Sequence, residues 1–75
     1  MSEGNAQWTD LAKRVLKAEL KRAGVSYAEL AKRLNEIGLQ ETEGSITVKI
    51  NRGAYPAWFL FAVMHVLGQS SLRLD

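Results

Sequence analysis

Apolar residues recur at intervals of three and four along the first third of the chain, which is the spacing of one buried helix face. They are Trp8, Leu11, Val15, Leu16 and Leu20. This spacing predicts a helix from about Thr9 to Ala23, with Thr9 as its N-cap and Gly24 at its end. Residues 1–7 are mostly small and polar, so we expect them to form a flexible N-terminal arm.

The second predicted helix occupies about residues 26–37 and begins with the sequence SYAE, which is a capping box. Ser26 is expected to cap the free amides of the first turn, and the Glu29 carboxylate is expected to return to the Ser26 N–H. Gly38 ends this helix. The apolar positions of its buried face are Ala28, Leu30, Ala31, Leu34 and Ile37.

The third helix is predicted over about residues 42–52, with Thr42 as its N-cap and Gly53 after its last turn. Ile46 and Ile50 are four residues apart, so they point inward together. The opposite side of this helix is therefore expected to face solvent.

The last predicted helix, about residues 56–67, follows the only proline and is apolar on nearly every side. We expect its core residues to be Leu60, Phe61, Met64 and Leu67. A domain this small cannot surround such a helix, so the remaining residues are predicted to form a homodimer interface. These are Trp58, Phe59, Ala62, His65 and Val66. Alternatively, the C-terminal sequence SSLRLD folds back over them, as a short strand or a turn.

Composition adds a constraint on size and on stabilisation. The 75 residues allow a single domain, over residues 8–75, and the absence of cysteine leaves no disulfide to support a thin core. A helical bundle, a dimer or both are therefore favoured. The net charge of +2 is small, but residues 13–33 carry seven basic and two acidic side chains, whereas residues 34–48 carry three acidic and no basic ones.

Several functional classes have little support in the sequence. The start, MSEGNAQ, lacks the basic region and apolar run of a signal peptide, and the run AWFLFAVMHVLG is short of the ~20 residues that span a bilayer. A cytoplasmic location without membrane association is therefore expected. His65 is the only histidine, and no paired carboxylates or phosphate-binding loop accompany it. We therefore predict no metal, no cofactor, no small-molecule ligand and no catalytic activity.

Three segments in order, VSYAELAKRL, SITVKINRGAYP and the later LG, resemble the lambda-repressor-like, Cro/CI-type helix-turn-helix family. The chain is also similar to short bacterial helix-turn-helix proteins of unassigned function. The resemblance implies an all-α domain of four to five helices, in which residues 42–52 form the recognition helix. Two features depart from the family pattern: NEIGLQETEG makes the second helix and its turn longer, and the third helix has an acidic start.

The resemblance implies base contacts from the exposed side of the third helix. The residues on that side with suitable chemistry are Glu43, Gly44, Thr47, Val48 and Asn51. An asparagine side chain can bond adenine, a valine can meet the thymine methyl group, and a glutamate can accept from the cytosine amine. The alternative is that Glu43 only stabilises the helix start and that Val48 is an ordinary exposed apolar residue.

Phosphate contacts are expected around the third helix and not from its acidic start. The candidates are Ser26, Tyr27, Lys49, Arg52 and Tyr55. Lysines at positions 13, 17 and 21 form one row on the first helix, which is expected to be a solvated face or a surface that steers an acidic partner.

Two functions follow from the sequence. The first is sequence-specific binding of duplex DNA by a small bacterial or phage-type transcriptional regulator that acts as a homodimer in the cytoplasm or at the nucleoid. The second is a protein–protein interaction module, an adaptor or an inhibitor of a larger regulator, that keeps the fold without binding DNA. The acidic start of the third helix and the apolar fourth helix favour the second.

Overall fold

Four helices make up the regular structure of residues 3–74, which are the residues that the computed structural model describes. They are α1 (Glu3–Ala23), α2 (Tyr27–Glu36), α3 (Glu43–Arg52) and α4 (Ala57–Val66). No strand occurs between residues 3 and 74, so the all-α prediction is confirmed and the C-terminal sequence forms no strand as far as Leu74. Asp75 lies outside the described residues.

The first helix begins at Glu3, ahead of the expected start at Thr9. The Thr9 hydroxyl donates to the Ala6 carbonyl at 3.1 Å within the helix, so Thr9 is not an N-cap. The predicted flexible arm is therefore wrong over residues 3–7, and residues 1 and 2 lie outside the described part. Extending an existing helix costs much less than nucleating one, so residues 3–7 can join it without an apolar face even though Gly4 and Asn5 are poor helix formers.

Side-chain caps set the start of the two central helices. The Ser26 hydroxyl accepts from the Glu29 N–H at 3.1 Å, as predicted, but the Glu29 carboxylate accepts from Arg33 Nε at 3.0 Å and does not return to Ser26. At α3, Thr42 Oγ1 accepts from the Ser45 N–H at 3.0 Å, and Ser45 Oγ accepts from the Thr42 N–H at 2.9 Å. Thr42 is thus confirmed as N-cap, within a reciprocal capping box.

The core lies where α3 packs against both α1 and α2, and where α4 packs against α2. Ile46 and Ile50 are fully buried, as their spacing predicted. The other fully buried large side chains are Leu16, Leu30, Leu34, Phe59 and Val63. These seven residues hold α3 by one face and leave its other face in solvent.

The buried side of α4 differs from the prediction. Phe59, expected in a dimer interface, is fully buried, whereas Phe61, expected in the core, is 69% exposed. Ala62 and Val66 are half-buried against the core. Met64 is buried as expected, and Leu60 and Leu67 pack against the core as half-buried side chains. The buried side is therefore rotated by roughly a quarter turn from the predicted one, towards Phe59 and away from Phe61. An apolar helix offers no polar side from which its orientation can be inferred.

Two contacts fix the outer helices to the central pair. Arg33 on α2 donates from Nη1 to the Val66 carbonyl at 3.2 Å and so occupies a free carbonyl in the last turn of α4. At the end of α3, Gly53 has φ +63°, and a Cβ atom there would lie 1.9 Å from the Thr9 carbonyl oxygen of α1. Only glycine allows this approach of the two backbones.

The segment after α4 turns back towards α1. The Arg73 N–H donates to Glu19 Oε2 at 3.5 Å, and the Glu19 carboxylate, which is buried, also pairs with the Arg22 guanidinium. Leu72 is half-buried between α1 and α4, where it meets Leu60. The fold-back of the C-terminal sequence is therefore present, but it leaves the exposed side of α4 largely uncovered.

Candidate nucleic-acid interface

The outward side of α3 carries all five candidate base-contact residues. Glu43, Gly44, Val48 and Asn51 are exposed, and Thr47 is half-buried. The Thr47 hydroxyl donates to the Glu43 carbonyl at 2.8 Å, so its hydrogen is committed within the helix. Because the two buried isoleucines fix the rotation of α3, these residues share a defined outward surface.

Of the two glutamates at the start of α3, Glu41 is buried and Glu43 is exposed. The Glu41 side chain is 4% exposed and accepts from Lys49 Nζ at 2.6 Å and from Ser45 Oγ at 2.7 Å. A carboxylate held by an ammonium and a hydroxyl has its charge compensated inside the protein. Of the two glutamates that precede Gly44, therefore, only Glu43 presents a negative charge to an approaching ligand.

The long turn between α2 and α3 is braced by one amide side chain. Asn35 Nδ2 donates to the Ala31 carbonyl at 2.8 Å and to the Glu41 carbonyl at 3.0 Å, while its Oδ1 accepts from the Glu41 N–H at 3.4 Å. These bonds join the end of α2 to the residue before the α3 N-cap. The extra length of the turn is thus an ordered connection that sets how α3 is presented.

Lys49 does not have the position expected of a phosphate contact. Its ammonium lies in the ion pair with Glu41 and stands 5.1 Å from the ring centre of Phe59 and 5.7 Å from that of Trp58. Both contacts draw the charge towards the protein interior. The Lys49 ammonium therefore holds the start of α3, and a phosphate would have to compete with Glu41 for it, so the expected phosphate contact stays a prediction.

Tyr55 is likewise committed inside the molecule. Its hydroxyl donates to the Ala12 carbonyl of α1 at 2.9 Å, and its ring lies 5.6 Å from that of Phe59. Burial raises the pKa of the Tyr55 phenol above its ordinary value. A phenol has a single donor hydrogen, so the predicted phosphate contact is corrected to a tie between the α3–α4 loop and α1.

The remaining phosphate candidates keep usable donors. Ser26 is exposed and accepts a hydrogen bond as N-cap, which leaves its own hydroxyl hydrogen free to donate. Tyr27 is half-buried next to it, and burial raises the pKa of its phenol, so it remains a donor at neutral pH. Arg52 is exposed in the last turn of α3.

A groove of about 210 Å³ between α1 and α3 brings together residues that the sequence separates. Lys13 on α1 lines it with Asn51 and Arg52 on α3, and Asp10 at its edge pairs with Arg14 at 2.8 Å. The sequence places Lys13 in a row of lysines on α1, apart from the candidate residues of α3. The approach of α3 to α1 requires a glycine at position 53. That contact depends on the folded chain, so the sequence alone does not reveal the groove.

The exposed apolar surface does not follow the predicted stripe on α4. It is an apolar face formed by Trp8, Leu11, Leu60, Phe61, Leu72 and Leu74. Trp58 is 51% exposed but lies beside Lys49, and His65 lines both the groove next to Phe61 and a groove between α2 and α4 that contains Lys32. Of the predicted interface residues, Trp58 and His65 are exposed, whereas Phe59, Ala62 and Val66 pack in or against the core.

The described part of the chain has neither a metal-binding cluster nor a helix that could span a membrane. Among the side chains of residues 5–74, no three from His, Cys, Asp or Glu are placed to hold a metal ion together. None of the four helices is both long enough and apolar enough to cross a membrane.

Comparison with known proteins gives a family without an assigned activity. The chain belongs to the family described as "Domain of unknown function (DUF6471)", whose model matches residues 8–72. No curated protein and no solved structure is significantly similar to it. The matched range contains α2, α3, α4 and the groove residues Lys13 and Arg52, so the candidate interface belongs to what the family model covers.

Proposed function

We propose that this member of the DUF6471 family binds duplex DNA with α3 in the major groove and acts as a small transcriptional regulator in the cytoplasm or at the nucleoid. The observation that supports this most is the outward side of α3. Two fully buried isoleucines fix its rotation, and the turn before it is braced by Asn35. A rigidly held helix with short exposed side chains suits a groove about 12 Å wide.

The exposed residues of α3 offer complementary chemistry to base edges. Asn51 can donate to and accept from adenine, and Val48 can pack on a thymine methyl group. Gly44, near the start of the helix, allows close approach of the backbone. Glu43 can accept a hydrogen bond from a cytosine amine, so it would favour cytosine over the other bases.

The charge of this surface opposes DNA less than the sequence suggests. The Glu41 carboxylate and the Lys49 ammonium cancel each other inside the protein. Phosphate contacts would come instead from Ser26 and Tyr27 at the start of α2, and from Arg52 at the end of α3.

We propose a homodimer that forms through the apolar face and not through the predicted stripe on α4. The groove at its centre, about 340 Å³, is lined by Trp8, Leu11 and Leu74 among other apolar residues, and none of the described residues that line it is charged. Two copies of an uncharged surface meet without like-charge repulsion, as a two-fold interface requires. The dimer would bind a palindromic site with half-sites about one helical turn apart.

Retention on random duplex DNA, followed by affinity measurements at several salt concentrations, tests DNA binding. The wild-type chain should be retained at low salt and released as salt rises, with a linear dependence of log K on log salt. Arg52→Ala should weaken binding to every sequence and reduce the salt slope by about one.

Asn51→Ala is the matched variant on the same turn of α3. It should keep the salt slope and lower the preference for the selected site over random sequence, by roughly 1–3 kcal/mol. Retention of both affinity and sequence preference in both variants would show that α3 does not enter the groove.

A protein–protein interaction module is the second candidate, and two observations favour it. Lys49 and Tyr55 have hydrogen-bond partners inside the molecule, which weakens the case for two of the five expected phosphate contacts. The apolar face is also a ready surface for another protein. The same retention experiment separates the candidates, because immobilised duplex DNA should not retain a pure adaptor at low salt.

A further inference from the structure

We propose that the groove between α1 and α3 is a second phosphate-binding site, in which Lys13 and Arg52 hold the same phosphodiester of the DNA backbone. This inference rests on the proposed DNA binding and extends it to α1, which the expected contacts did not include. The ligand class is a singly charged phosphodiester with two free oxygens, and the two cations approach it from two different helices.

The position of the two cations is fixed by the backbone. Gly53 follows Arg52 directly and lies so close to Thr9 that a Cβ atom would be 1.9 Å from the Thr9 carbonyl oxygen. Lys13 is four residues after Thr9, so it lies one turn further along the same side of α1. The last turn of α3 therefore holds the Arg52 backbone at a set place beside the Lys13 row.

The electrostatics of the groove favour an anion. Lys13 and Arg52 line it together with the Asn51 amide, and the carboxylate among its described lining residues, Asp10, is paired with Arg14 at 2.8 Å. The ion pairs among the side chains of residues 5–74 involve neither Lys13 nor Arg52. Within that range, both charges can act on a ligand instead of on a neighbouring carboxylate.

The end of α3 adds little opposing charge. Carbonyls in the last turn of a helix carry a partial negative charge that would repel a phosphate. Here the Gly53 N–H donates to the Ile50 carbonyl at 3.0 Å, and the Ala54 N–H donates to the Lys49 carbonyl at 3.4 Å. These bonds satisfy two of the terminal carbonyls and reduce their effect on the groove.

Lys17 provides the matched control. It lies one turn beyond Lys13 in the same row of α1, carries the same charge and is exposed, but it does not line the groove. A general attraction between a basic helix and DNA would depend on both lysines, whereas a phosphate held in the groove depends on Lys13 alone.

The test measures the affinity of wild type, Lys13→Gln, Lys17→Gln, Arg52→Gln and the Lys13→Gln/Arg52→Gln pair for one duplex at several salt concentrations. Lys13→Gln should reduce the slope of log K against log salt by about one, and Lys17→Gln should leave it unchanged. The double variant should lose less than the two single losses combined, because both residues hold one phosphate. Equal slopes for the Lys13 and Lys17 variants would overturn the inference while leaving DNA binding intact.

A wild-type chain that does not bind the duplex overturns both proposals. A titration with inorganic phosphate, followed by NMR at the Asn51 side chain, then identifies the alternative ligand. Saturable shifts that disappear in Lys13→Gln would assign the groove to free phosphate. Unfolding curves of each variant should match wild type, because both side chains reach solvent and lack described ion-pair partners.

Discussion

At the scale of single residues, Lys49 shows how a side chain that the sequence suggests for ligand binding can also have a structural role in the fold. Its place in the segment KINRG suggested phosphate binding, but eight residues earlier in the chain Glu41 supplies a carboxylate that is almost fully buried. A buried carboxylate without a partner is costly, so the ammonium is held where that carboxylate lies. Lys49 then contributes to stability and to the placement of α3.

Lys49→Met should destabilise the protein because it leaves the Glu41 carboxylate with only the Ser45 hydroxyl as a described side-chain partner. We expect a loss of roughly 2–3 kcal/mol in the free energy of unfolding, measured by urea denaturation. Lys17→Met removes the same charge from an exposed site on α1 and should change it by less than about 0.5 kcal/mol.

The second substitution Glu41→Gln, added to Lys49→Met, should recover part of the loss, because an amide is less costly to bury than an unpaired carboxylate. If Lys49→Met is no more destabilising than Lys17→Met, the ion pair does not support the start of α3.

At the scale of helices, the sequence predicts an element correctly where residues close together in the chain determine it. The start of α3 was correct because Thr42 caps it through bonds to residues three positions away. The buried face of α3 was correct because Ile46 and Ile50 stand out from polar neighbours. The start of α1 differs from the prediction because residues 3–7 belong to the helix but have no apolar face that the sequence would reveal.

The failures on α4 and on the candidate site have a common cause. Phe59 and Phe61 are chemically identical, and only packing against α2 decides which of them is buried. The partner of Tyr55, the Ala12 carbonyl, is 43 residues away, and the groove at Lys13 also joins distant parts of the chain. Residue type and spacing identified the outward side of α3, but they could not show which nearby polar groups were already occupied.

The contact between the end of α3 and α1 gives a prediction at this scale. Gly53→Ala should be strongly destabilising, because the added Cβ would meet the Thr9 carbonyl and because φ is +63°. Gly68→Ala is the control, since φ there is +71° with nothing within 4 Å of the added atom. The control should cost about 1–2 kcal/mol in the free energy of unfolding, from the backbone conformation alone.

Thermal and urea unfolding of the two glycine variants measure the difference. Gly53→Ala should lose clearly more than the control, and the excess reports the approach of α3 to α1. Equal losses would mean that the two helices separate at little cost, and the positions of Lys13 and Arg52 would then not be fixed relative to each other.

At the scale of the whole molecule, the apolar face gives a prediction about assembly. Phe61→Ser should shift the protein from dimer to monomer in size-exclusion chromatography with light scattering, because Phe61 is 69% exposed on that face. Ile37→Ser removes a comparably exposed apolar side chain, 45%, from the end of α2, outside that face, and should leave the dimer intact. A dimer that persists in Phe61→Ser would show that the apolar face is not the interface.

The way the chain closes on itself has a consequence for its synthesis. Contacts run from α1 to α3, from α3 to α2 and from α2 to α4, and the segment around Leu72 completes the circuit by returning to α1. The Arg73 N–H reaches Glu19 across 54 positions of sequence. During translation α1 is made first, yet its partner near residue 73 emerges only after all four helices. Until then, the parts of α1 and α4 that Leu72 and Arg73 cover stay accessible, so we expect this segment to complete the fold last.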